Sequence, residues 1–113
     1  MPPKKNPLGL NALQLKTLTL MQELARSPNH ASPRDGGAVE ISNMPHPHGN
    51  HFHVGHAVVM TADASGLANE AAWKALERKG LIESDFPHGA LVTAEGMAYD
   101  TGLADQILHR ADH

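Results

Sequence analysis

The chain has 113 residues, nine Lys and Arg against twelve Asp and Glu for a formal charge of -3, and no cysteine. That length supports one domain around a single modest core, and the lack of cysteine removes disulfides, thiolate metal sites and cysteine nucleophiles together. The slight negative charge gives no general attraction for nucleic acid or an anionic membrane, so binding to either requires a local patch.

In chain order, residues 1–8 hold three prolines and two lysines and read as a flexible N-terminal arm, with one domain over 9–113. The start MPPKKNPLGL lacks the apolar stretch of a secretory signal, and no run approaches the ~18 apolar residues that span a bilayer. A cytoplasmic protein with no membrane partner is the expectation. Leu10, Leu13, Leu18, Met21, Leu24 and Ala25 recur close to helical spacing. Asn11 is placed to cap that helix, with Gln14 three residues on and Pro28 beyond its last turn. SPNHASPRDGG then reads as a loop.

AVEISNM alternates Val39 and Ile41 with Glu40 and Ser42, as a short strand does, and the β-branched pair Val58 and Val59 marks a second strand. Together they predict a hairpin over 38–60 whose long tip is rich in Pro, Gly and His. The segment Met44 to His56 holds five of the nine histidines in the chain. His51 and His53, two apart, share one face of an extended strand, and His46 or His48 could return from across the hairpin. Three such imidazoles suit a transition metal, zinc, nickel or copper, with water completing the shell. The same cluster also reads as a pH-responsive surface or as a solvated polar loop.

DASGL reads as a turn. In ANEAAWKALERKGLI, Ala68, Ala71, Ala72, Ala75 and Leu76 form an apolar stripe, with Glu70, Lys74, Glu77 and Arg78 on the opposite side. Trp73 lies at the edge of the stripe and reads as core. The helix ends at Lys79, with Gly80 at the left-handed position and Leu81 folding back on Leu76. LIESDFPHGALVT is a second hairpin, turned at Phe86-Pro87-His88-Gly89 as type I. Thr93 can cap a last helix through Met97, Leu103, Ala104, Ile107 and Leu108, which would set His109 and His113 at its C-terminal dipole.

The order helix, strand, helix ending in LERKGLI, hairpin, LVTAEGMAY, helix resembles winged helix-turn-helix domains, the MarR-like and PadR-like regulators in particular. The resemblance spans roughly residues 9 to 108 and is carried most specifically by Leu76, Gly80, Leu81, Ile82, Thr93 and Gly96. It implies a small α+β winged-helix-like domain with three main helices and two β-hairpins. The first helix of the helix-turn-helix is replaced by the His-rich hairpin.

The family's role implies DNA as partner, a transcriptional regulator or adaptor, with Lys74, Arg78 and Lys79 as the DNA-contacting residues. Glu70 and Glu77 on the same helix, and Glu83 and Asp85 on the wing, oppose that charge. A metal-binding or metal-sensing protein, or a protein-interaction domain without DNA binding, are the competing readings. A homodimer through the terminal helices, the first leucine-rich and the last apolar on more than one side, is also expected. No nucleophile elbow, phosphate loop or paired carboxylates support catalysis.

Overall fold

The computed structural model describes residues 6–45, 47–54 and 57–110. Among them the elements run α1 (Ala12–Ala25), β1 (Ala31–Pro33), β2 (Val39–Ile41), β3 (Pro47–His48), β4 (His51–Val54), β5 (Ala57–Met60), a long 3-10 helix (Thr61–Ala68), α2 (Glu70–Arg78), β6 (Ile82–Asp85), β7 (Gly89–Val92), α3 (Ala94–Ala98), α4 (Ala104–Ile107) and β8 (His109–Arg110). They form a small α+β domain with two antiparallel four-stranded sheets, β1-β2-β7-β6 and β3-β4-β5-β8.

α1 starts where its capping box predicts: Asn11 Oδ1 accepts from the Gln14 N–H at 2.8 Å, and Gln14 Oε1 accepts from the Asn11 N–H at 3.0 Å. Its second half is not amphipathic in outcome. Thr17 through Gln22 and Leu24 are all buried, so the helix runs through the core with elements on every side. Burying polar residues there requires partners. Thr17 and Thr19 donate their hydroxyls to the carbonyls of Leu13 and Leu15, at 2.7 and 2.8 Å. Gln22 donates from Nε2 to the carbonyls of Gly96 and Tyr99, both at 2.7 Å. At the N-terminal end, Tyr99 donates its hydroxyl to Asn6 Oδ1 at 2.7 Å and accepts from the Leu8 N–H at 3.1 Å.

The first sheet turns Ile41, Ala90, Val92 and Ile82 inward, all buried, and Glu40, Leu91, Glu83 and Asp85 outward, as its register requires. In the second sheet Val54, Ala57 and Val59 are buried, with Phe52 packed against the core. His51, His53, Val58 and Met60 take the opposite face.

Several expectations are corrected. The hairpin over 38–60 does not form: β2 pairs with β1 and β7, whereas β5 pairs with β4. The reason is the period-two pattern His51-Phe52-His53-Val54, which makes the histidine segment a strand with its own apolar face rather than a loop tip. The loop after α1 contributes β1 to the edge of the first sheet. DASGL belongs to the 3-10 helix, and Ala68 and Ala71 are exposed, leaving Ala72, Trp73, Ala75 and Leu76 as the buried side of α2. The second hairpin forms as predicted, but its turn runs Asp85 to His88, closed by the His88 N–H on the Asp85 carbonyl at 2.8 Å. Pro87 follows a cis peptide at the third turn position, which is type VI rather than type I.

Thr93 does cap a helix, its Oγ1 accepting from the Gly96 N–H at 3.0 Å, but that helix ends at Ala98. Tyr99 is extended and Gly102 takes φ +72°, so the single last helix becomes the two short helices α3 and α4. Among the described residues four α-helices therefore stand where three were expected. His109 lies in β8 opposite Val58, not at a helix end, and His113 lies outside the described residues.

Candidate functional site

Two surfaces carry the residues singled out by the sequence. The first is the outer side of α2. Asn69 caps it, accepting from the Ala72 N–H at 3.3 Å. At the other end Gly80 takes φ +78°, the Leu81 N–H reaches the Leu76 carbonyl at 3.1 Å, and the Gly80 N–H reaches the Glu77 carbonyl at 3.0 Å. These two bonds make the Schellman motif that the sequence predicts, with Leu76 and Leu81 both buried beneath it. The chain passes from there directly into β6.

Trp73 is fully buried, donates from Nε1 to the Gly66 carbonyl at 3.0 Å, and meets Phe86 edge-on at 5.0 Å between ring centroids. With its inner side fixed in this way, α2 presents Lys74, Arg78 and Lys79 to solvent. Lys74 Nζ is 3.9 Å from Glu70, and Glu77 Oε2 accepts from the Ser84 N–H at 3.0 Å, so its carboxylate leans toward the β6 edge. Arg78 and Lys79 have no ion-pair partner among the described residues. Glu83 and Asp85 stand exposed on the adjacent hairpin. The helix offers cations and its neighbouring hairpin offers carboxylates.

The second surface is the outer face of the β3-β4-β5-β8 sheet. His51 and His53 share that face as alternation predicts, with ring centroids 5.0 Å apart and planes at 81°. His48 is the β3 cross-strand partner of His51, and His46 lies outside the described residues. Among the described residues no three His, Asp or Glu side chains gather around one point as a metal cage. Sequence reasoning missed Met60, the β5 partner of His51 on the same face. The available signal was the alternation of β5 itself, which sets Met60 on the side opposite Val59.

Apart from these surfaces, a cleft of about 440 Å³ is lined mainly by Met44, Pro45, Phe52, Leu67, Phe86 and Pro87. Its walls are mainly apolar, supplied by β4, the 3-10 helix and the tip of the β6–β7 hairpin. Its size falls in the usual range for small-molecule pockets. Residues 12–25 contain the longest helix, and no described helix is long and apolar enough to cross a membrane. No family model, curated protein or solved structure matches this chain.

Proposed function

We propose that the chain is a winged-helix-type binding domain, a cytoplasmic DNA-associated regulator or adaptor that meets the phosphate backbone with the outer side of α2. One arrangement carries this reading. α2 stops at the Leu76–Gly80–Leu81 turn and leads at once into the β6–β7 hairpin, whose second strand returns beside β2. Helix, strand, helix and wing in that order are the parts with which winged-helix proteins hold a helix against a groove. The 3-10 helix Thr61–Ala68 precedes α2 across the single residue Asn69, in the chain position of the first helix of a helix-turn-helix. Lys74 and Arg78, one turn apart on the exposed side, and Lys79 beside them, supply the charge.

The test is a gel-shift titration of mixed-sequence duplex DNA with the full chain at two salt concentrations. The parent should bind more weakly at the higher salt, and the Lys74→Glu/Arg78→Glu variant should lose about tenfold or more in affinity at the lower salt. Equal retention of the two proteins would remove α2 as the reading element.

A further inference from the structure

We propose that His51, His53 and Met60 form a copper site, selective for the cuprous ion, on the outer face of the second sheet. The proposal stands independently of DNA binding.

The placement follows from register. His51 and His53 are two apart in β4, and β5 sets Met60 directly opposite His51 and Val58 opposite His53. Cross-strand partners share a face with Cβ atoms about 5 Å apart, and diagonal neighbours lie within about 8 Å. One thioether and two imidazoles therefore converge from adjacent strands. Two imidazoles bound to one ion through metal–nitrogen bonds of about 2 Å hold their ring centroids about 5 Å apart at tetrahedral to trigonal angles. The His51 and His53 centroids stand 5.0 Å apart.

Met60 is 41% exposed, and Leu8 is the other large apolar residue so exposed among the described residues. A thioether kept in water beside two imidazoles is not there to fill the core. The donor set also chooses the metal. Imidazole suits zinc, nickel and copper alike, but a thioether is a soft donor that favours Cu(I), and no carboxylate or thiolate is supplied by β4 or β5. This narrows zinc, nickel or copper to copper. His109 lies on the same face across Val58 from His53, two strand spacings or roughly 10 Å away. That is too far to share the ion, which makes it the internal control.

The experiment is a Cu(I) titration of the full chain under reducing, anaerobic conditions against a chromophoric cuprous chelator, with Zn(II) titrated in parallel. The parent should withdraw one equivalent of Cu(I). His51→Asn/His53→Asn should weaken Cu(I) binding by about 100-fold, and Met60→Leu by about tenfold while leaving Zn(II) binding within about twofold of the parent. His109→Asn should match the parent. X-ray absorption of the copper-loaded protein should show a sulfur neighbour that Met60→Leu removes. Failure of the parent to compete with the chelator, parent-like Cu(I) binding by Met60→Leu, or equal loss of Cu(I) in His109→Asn each overturns the site. All four positions lie on the outer face, so unchanged Trp73 fluorescence in each variant shows that the fold is retained.

Discussion

Gly66 sits against Thr17 so closely that a Cβ at position 66 would fall on the Thr17 Oγ1, with Thr17 Cβ 3.1 Å and Leu13 Cδ1 3.3 Å away. The carbonyl of the same glycine takes the indole proton of Trp73. Gly66 is therefore where α1, the 3-10 helix and α2 meet, and Gly66→Ala must push the 3-10 helix off α1 while loosening the Trp73 bond. The expected loss is about 2–4 kcal/mol in urea unfolding. Thr17→Ala removes the hydroxyl that the new methyl group meets, at the modest cost of a bond to a carbonyl already inside a helix. The double variant should regain more than half of the loss, and strict additivity of the two single changes would show that the contact is not the cause.

Gly80 provides the contrast. It is held at φ +78°, yet nothing lies within 4 Å of where its Cβ would go. Gly80→Ala therefore carries only the left-handed backbone penalty, about 1 kcal/mol, and Gly80→Asn less. A Gly80→Ala loss as large as that of Gly66→Ala would contradict the open space around the Gly80 Cβ position.

Gln22 is 7% exposed and uses one amide nitrogen to hold both the Gly96 and Tyr99 carbonyls. Gln22→Leu keeps the volume and removes the donor, leaving carbonyls near the core unserved at a cost of about 2–3 kcal/mol. Gln22→Glu should be at least as damaging at neutral pH, because a carboxylate accepts and cannot donate to either oxygen. Denaturation midpoints of the two variants check the order.

Local signals in the sequence were legible where a few neighbouring residues settle the geometry. Asn11 with Gln14 began α1, Gly80 with Leu81 ended α2, and Val39 with Ile41 marked the inward side of β2. What failed was pairing across the chain. Val39 and Val58 both read as strand residues, but nothing local says that β2 seeks β7, fifty residues on, rather than β5. The alternation of His51-Phe52-His53-Val54 was visible, and it was masked by the histidine content, which reads as loop. The last helix failed for a related reason. Apolar spacing ran on past Gly102, while the break is set by Gln22 capturing the Gly96 and Tyr99 carbonyls from another element. Alternation sets His51 and His53 on one side of β4 and Met60 on the side of β5 opposite Val59, but that these sides meet follows only from the β4–β5 register.

The charges on α2 and on the β6–β7 hairpin make opposite contributions to the proposed DNA contact, and they can be separated by salt dependence. Each cation that neutralises a phosphate releases roughly one counterion, so Arg78→Gln and Lys79→Gln should each lower the slope of log affinity against log salt by about 1. Lys74→Gln should do less, because Glu70 lies 3.9 Å from its ammonium and already shares its charge. Glu83 and Asp85 are exposed on the outward face of the hairpin and repel the same phosphates. Neutralising both with Glu83→Gln/Asp85→Asn should raise affinity at low salt by a few-fold, and the gain should fade as the Debye length contracts to about 8 Å near physiological ionic strength. Binding measured from 50 to 200 mM salt checks both arms. Unchanged affinity in the hairpin variant would mean that the β6–β7 hairpin does not approach the duplex, and a winged mode of contact would then be lost even if α2 binds.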